Sequence, residues 1–197
     1  AVQMPSILPV VAVCDNRIST HSTIIFWALR SAPGNAVEGM ASFFTLPNAG
    51  FGGYLTLTGT LRGNGRLRPL LARMEEQMIK DGKAADGWYI ECEPHGQERI
   101  FNHLGFREID INYRQPPLGG QPSYGLDDTP DLRLMYKKFG NNYNDPAISY
   151  DEFLKAIEWI YRIVYHVKQP QQSLFIQDIE EQVVDCKDGL INFRSSF

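Results

Sequence analysis

Two periods alternate along this chain. Thr23–Arg30 (TIIFWALR) is a run of β-branched and aromatic residues and predicts a strand. Val10–Val13, within a proline-bearing arm, predicts a short strand before it. The Pro33-Gly34 pair marks a turn, and Ala36–Leu46 reads as the second strand of a hairpin. A loop over Pro47–Gly53 (PNAGFGG) precedes a third strand, Tyr54–Leu61. The period then changes. Leu67, Leu70, Leu71, Met74 and Met78 fall on one face of a helix. Pro69 belongs to its first turn, where a missing N–H costs nothing. Trp88–Glu93 predicts a short strand, and Gln97–Leu104 a short helix stopped by Gly105. Phe106–Tyr113 and Leu132–Lys138 predict two more strands, joined by a Pro/Gly-rich loop. The order β-β-β-α-β-α-β-β predicts an α+β (or α/β) domain with a mixed sheet.

The C-terminal region has a different pattern. Ser149 and Glu152 have the spacing of a capping box. Phe153, Leu154, Ile157, Ile160, Tyr161 and Val164 follow as a wide apolar stripe, predicting a helix over Ser149–Lys168 that ends before Pro170. Ser173–Ile179 and Val183–Phe193 predict strands, the latter a hairpin around Lys187-Asp188-Gly189. The chain divides into a domain over residues 1–140 and a C-terminal helix-plus-strand extension over 141–197. The extension packs on the domain or against a second copy in a homodimer.

Composition narrows the function classes. At 43% hydrophobic and 21% charged, the 197 residues are ordinary for a globular protein. A net charge of −4 implies no general affinity for nucleic acid, so an anionic ligand needs a local basic site. Cys14, Cys92 and Cys186 are odd in number and lack a CxxC pair, which predicts a reduced, cytoplasmic protein. No apolar run approaches membrane-helix length, and no secretory pattern is present, so no membrane partner is expected. His95 with Cys92 has no second ligand pair nearby, so no metal is expected. Cys92 and the three tryptophans sit among apolar neighbours and read as core.

The chemistry concentrates in Leu55–Leu71 (LTLTGTLRGNGRLRPLL), where a strand runs into a glycine loop and a helix. The helix start presents unpartnered N–H groups and the positive dipole end. Gly63 and Gly65 let the backbone approach a ligand, and Arg62, Arg66 and Arg68 add charge. This is a phosphate or pyrophosphate cradle, or else a plain strand–helix turn with exposed arginines. A P-loop would need a Gly-Lys-Ser/Thr ending; a Rossmann fingerprint would need Gly or Ala where Arg68 stands.

In that stretch the chain resembles the GNAT superfamily of acyl-CoA-dependent N-acyltransferases. Arg62-Gly-Asn-Gly65-Arg-Leu67 matches the family's Arg/Gln-x-x-Gly-x-Gly/Ala loop after a strand. Trp88–Glu93 stands where its later strand should, and Ile100-Phe-Asn-His-Leu-Gly-Phe106 matches its Tyr-x-x-x-Gly-Phe-like run. The resemblance covers about residues 23–138. It departs at Leu67, where the family prefers Gly or Ala, and at Phe101, where it often has the Tyr that protonates the leaving thiolate. The region before Tyr54 is short for the family's two N-terminal helices, so they are missing or the extension replaces the wall they form.

The resemblance implies a GNAT-like, mostly antiparallel central sheet flanked by helices and split between the strand before the loop and Trp88–Glu93. It implies direct transfer from acetyl-CoA or another acyl-CoA to an amine of a small molecule or peptide, without metal. Leu57, Gly59, Arg62, Gly63, Asn64, Gly65, Arg66, Leu67 and Phe101 would contact the CoA substrate. A backbone N–H from Leu57–Gly59 would take the oxyanion. Glu91 and Glu93 are candidate bases, each otherwise a salt-bridged strand carboxylate. His103 and Tyr113 are candidates for the missing acid. The extension would then cover the acceptor cleft. A CoA-binding module without transfer, and a CoA-dependent transferase of other chemistry, are the alternatives.

Overall fold

The computed structural model describes residues 8–12, 22–30, 36–59, 61–81, 85–94, 96–119, 125–140, 147–184, 186 and 189–195. Strands β1 (Leu8–Ala12), β2 (Thr23–Arg30), β3 (Val37–Thr45) and β4 (Gly50–Leu57) form an antiparallel meander. Helix α1 (Leu67–Asp81) then crosses to β5 (Gly87–Cys92), which lies parallel to β4. Helix α2 (Gln97–His103), the two-residue strand β6 (Arg107–Glu108) and β7 (Arg133–Lys138) follow. The seven-stranded sheet has the order β1-β2-β3-β4-β5-β7-β6, with β4–β5 its one parallel pair. The sheet is mixed and mostly antiparallel, as the sequence resemblance implies.

Side-chain alternation builds a core on each face. Ile25, Trp27, Phe43, Trp88, Ile90 and Met135 meet Leu70, Leu71, Met74 and Met78 of α1 on one face. The helical face read from the sequence is the one that is buried. The Glu75 carboxylate of α1 pairs with buried Lys137 of β7 and accepts the Gly140 N–H at 2.8 Å, tying helix to sheet.

On the other face Phe44, Phe51, Tyr89 and Leu134 meet the C-terminal elements. These are β8 (Ala147–Ser149), α3 (Tyr150–Trp159), α4 (Leu174–Val183) and β9 (Leu190–Asn192), which pairs with β8. Phe153, Ala156, Ile157, Ile160 and Tyr161 are fully buried there. Arg194 fastens the end of this region to the chain beyond β6. It donates to Glu108 at 2.7 Å, Asp110 at 3.0 Å and the Ile111 carbonyl at 2.9 Å. Among the described residues no helix precedes α1, and the C-terminal helices cover sheet in its place.

Several expectations are corrected. The third strand begins at Gly50, inside the expected loop. Gly50 and Gly52 are there for close packing. A Cβ on Gly50 would meet Met78 Sδ at 2.3 Å, and one on Gly52 would meet Ile90 Cγ2 at 2.9 Å. The strand expected over Phe106–Tyr113 shrinks to Arg107–Glu108, because the chain beyond it turns to the Phe193–Arg194 segment. Ser173–Ile179 is helical, not extended. Ser173 caps α4 by accepting the Phe175 N–H at 3.3 Å, and Phe175, Ile176, Ile179 and Val183 form its buried face. Apolar β-branched residues drew the strand reading, but their spacing is helical. Val183 ends that helix, and β9 pairs with β8 instead of closing the expected hairpin; Lys187 and Asp188 lie outside the described residues. Ser149 occupies the N-cap of α3 without a side-chain capping bond, so the capping box does not form.

Candidate functional site

The site begins with a fault in the sheet. Strands β4 and β5 are in register only at Gly50–Trp88, Phe51–Tyr89 and Gly52–Ile90. At that point the pairing of β4 with β3 slips. Ser42 faces Tyr54 and Phe43 faces Gly52, leaving Gly53 as an extra residue. Such a bulge bends its strand. Beyond it, β4 continues with β3 and parts from β5, so the sheet opens into a cleft.

The backbone of β4 supplies donors along that cleft. The Thr58 N–H bonds the Glu38 carbonyl at 2.7 Å, toward β3. Antiparallel ladders alternate, so the Leu55 and Leu57 amides point to the opposite edge, toward β5. Within the expected donor stretch Leu57–Gly59, the Thr58 N–H is committed to β3, while Leu57, and Leu55 before it, face the gap.

At the cleft mouth, Leu61–Gly65 forms consecutive turns before α1. Gly63 and Gly65 have φ of 74° and 67°, left-handed values that suit glycine. Arg62, Gly63, Asn64 and Gly65 are exposed; a Cβ on either glycine would meet nothing within 4 Å. The loop is therefore open to solvent, not folded into a packed contact. The Arg62 Nε donates to the Leu57 carbonyl at 2.8 Å and braces the loop against β4. Arg68 donates to the His103 carbonyl at 2.7 Å, at the negative end of α2. That bond joins α1 and α2 along one rim. Arg66 and Leu67 are half-buried, and Gly59 is exposed at the loop entrance.

Glu91 follows Ile90, the last position of β5 paired with β4. Its neighbours Ile90 and Cys92 turn into the α1 face, and Glu91 points with Tyr89 to the other. The Tyr113 hydroxyl donates to Glu91 Oε1 at 2.5 Å, and the Tyr165 hydroxyl donates to Oε2. Gln115 Nε2 donates to the Tyr165 oxygen at 3.0 Å. Burial drives the Glu91 carboxyl up to about 7, and the two phenol hydrogen bonds partly offset it by favouring the charged form. Burial, and then the Glu91 charge, pushes both phenols above the usual tyrosine range, so both keep their protons and act as donors.

The other sequence candidates separate. Tyr113 is fully buried and joins Glu91 directly, as a hydrogen-bond donor to its carboxylate. Glu93 is exposed past the end of β5, and its N–H bonds the Gln97 side chain at 3.3 Å. The exposed His103 ring pairs with the Arg99 carbonyl of its own helix at 2.7 Å. Phe101 is half-buried and edge-on to Phe106, with ring centres 5.6 Å apart. Cys92 is buried against Met135 Sδ at 3.4 Å, and burial lifts its thiol to about 12, which removes it as a nucleophile at neutral pH. His95 lies outside the described residues. Tyr165 and Gln115 escaped sequence reading. Tyr165 directly follows the apolar stripe without belonging to it, and nothing in the order of residues places it beside Glu91. A separate cavity, lined by Asp86, Arg107, Tyr136, Lys138, Glu152 and Phe193, lies at the other end of β5.

No family model matches the chain, and no curated protein matches it in sequence. Solved structures match the chain over part of its length, at TM-scores below 0.5. A GNAT-family protein from Bacteroides thetaiotaomicron is 19% identical, with 73% of this chain and 74% of that one covered and a TM-score of 0.49. The ribosomal-protein-S18-alanine N-acetyltransferase from Escherichia coli is 18% identical over 60% of this chain and 73% of its own, at a TM-score of 0.44. A GNAT-family acetyltransferase from Staphylococcus aureus is 15% identical over 59% and 68%, at 0.41. Function therefore has to come from this chain's own residues.

Proposed function

With a GNAT-type fold as the premise, we propose that this chain is an acyl-CoA-dependent N-acyltransferase. The observation that carries the reading is one juxtaposition: an exposed glycine loop at a helix N-terminus stands over a split sheet, with Glu91 just past the last β5 position paired with β4. The amides of Gly63–Arg66 and the positive end of α1 suit a pyrophosphate. Arg62, braced on Leu57, adds its remaining guanidinium donors. The thioester then lies in the gap between β4 and β5, with its carbonyl oxygen at the Leu55 and Leu57 amides.

The chemistry follows from that placement. The acceptor arrives as an ammonium and must lose a proton before it can attack. A carboxyl that titrates near 7 is matched to that task, because it is half-ionised at neutral pH and basic enough to take the proton directly or through water. The amine nitrogen bonds to the thioester carbon, and the carbonyl electrons move onto oxygen, where the β4 amides meet the charge. The C–S bond breaks as the carbonyl re-forms, and the remaining ammonium proton passes to the departing sulfur. A thiol pKa near ~8.5 makes the thiolate a fair leaving group, so Phe101 in place of a tyrosine acid is tolerable. Holding both reactants in one cleft removes much of the entropic cost.

Acetyl-CoA as donor, and a small amine or peptide as acceptor, are the finer parts of the reading. The chain's negative charge favours a cationic acceptor in a general way. The test is calorimetric titration with acetyl-CoA and longer acyl-CoAs, followed by thiol release with pooled amines. Arg62→Glu is expected to weaken acyl-CoA binding by tenfold or more, about 1.4 kcal/mol. If no CoA species binds the wild-type chain, the proposal is wrong.

A further inference from the structure

We infer that Tyr165, carried by the C-terminal extension, is a positioning residue for Glu91, so that the catalytic carboxylate is set only when the extension is docked. The inference rests on the reading of Glu91 as the base.

Three observations bear on it. First, the two oxygens of Glu91 are held by different parts of the chain. Tyr113, beyond β6, takes Oε1, and Tyr165, beyond α3, takes Oε2. Second, the Tyr165 hydroxyl is itself oriented. Gln115 donates to its oxygen, leaving its own proton aimed at the carboxylate. Tyr161, one turn earlier, spends its hydroxyl on the Arg114 carbonyl at 3.2 Å, so it braces the segment that carries Tyr113 and Gln115. Third, the backbone around Tyr165 departs from regular helix. Residues Ile160–Val164 form a π-helical turn, with the Tyr165 N–H bonded to the Ile160 carbonyl at 3.3 Å. His166 follows at a φ of 56°, a left-handed value uncommon for a residue with a side chain. Such turns and such strain gather where a side chain is being aimed, and they persist only when the surroundings hold them.

The groups that face Glu91 are the neutral hydroxyls of Tyr113, Tyr165 and Tyr161, with the Cys92 thiol next to it on β5. Burial alone favours the protonated carboxylic acid, which cannot accept a proton. Donated hydrogen bonds favour the carboxylate. The Tyr113 and Tyr165 hydroxyls, which donate to it, therefore lower the pH at which Glu91 becomes a base and restrict the carboxylate's rotation. Removing the Tyr165 hydroxyl should push Glu91 to titrate higher and make it inactive at pH values where the wild-type chain works.

The Glu91 carboxyl can be followed by 13C NMR in the full chain with labelled glutamate, assigned by difference against Glu91→Gln. In Tyr165→Phe the midpoint is expected to rise by roughly one to two pH units. The rising limb of kcat against pH should move with it, while the KM for acetyl-CoA stays within about twofold. Gln115→Leu, which leaves both phenols in place, should shift the midpoint the same way by less. A folded Tyr165→Phe protein whose Glu91 midpoint stays within about 0.3 unit of wild type overturns the inference. If that variant does not fold, Gln115→Leu decides: an upward shift supports the inference and no shift overturns it. The carboxyl readout needs no turnover. A chain that binds no acyl-CoA would sink the transferase reading while leaving the Tyr165–Glu91 coupling standing or falling on its own measurement.

Discussion

At the scale of residues, the site turns on one carboxyl whose environment opposes its charge. Glu91→Gln keeps the shape of the side chain and removes the base. Acyl transfer at pH 7 should fall by ~10²–10⁴-fold with little change in acetyl-CoA affinity, measured by thiol release and calorimetry. In the wild-type chain the rate should rise with pH through about 7, as Glu91 loses its proton. The same shift has a sign for stability. The folded chain holds the Glu91 proton more tightly than an unfolded chain with an ordinary carboxyl. That contribution is fully present below the ordinary carboxylate range and is lost as pH rises through about 7. Between pH 5 and pH 8 the wild-type chain should therefore lose about 1–3 kcal/mol that Glu91→Gln does not lose, read by urea unfolding at both values.

Among the elements, the decisive joints are between α1 and the sheet and between β4 and β5. Glu75 and Lys137 meet in the core between α1 and β7. Glu75→Ala leaves the lysine charge buried without that partner and should cost about 3–5 kcal/mol, visible as a lower urea midpoint. Because α1 carries the cradle at its N-terminus, acyl-CoA affinity should fall along with stability. The β4–β5 split needs no special sequence signal other than glycine. Gly53 absorbs the bulge, and Gly50 and Gly52 admit Met78, Trp88 and Ile90. Read along the chain, those three glycines look like a loop, which is why the start of β4 was misplaced.

Taken whole, the molecule is a sheet with α1 and α2 on one face and its own C-terminal region on the other. Phe44, Phe51 and Tyr89 are nearly covered, and α3 and α4 do the covering. A chain ending at Gly140 would expose this apolar face and lose Tyr165. It should bind a hydrophobic dye, lack a fixed near-ultraviolet CD signal, and show no acyl transfer. A 1–140 chain with native spectra and full activity would show that the extension is dispensable.

The sequence alone determined what depends on neighbours along the chain. The apolar face of α1, the helical stripe of α3 and the strand runs of β2, β3, β5 and β7 follow local period, because each element buries one face. The glycine loop before α1 was legible for the same reason, since its chemistry sits in six consecutive residues. Glu91 was legible as a carboxylate on a strand, yet so was Glu93. Only tertiary structure sets them apart, by ending β5 at Cys92 and bringing Tyr113 and Tyr165 onto Glu91. It also made a helix of the segment after Ser173 that reads as a strand, whose periodic face matched a sheet surface waiting to be covered. Proton affinity is a property of that assembled surrounding. No order of residues states it until the fold has excluded water from one carboxyl and placed two hydroxyls against it.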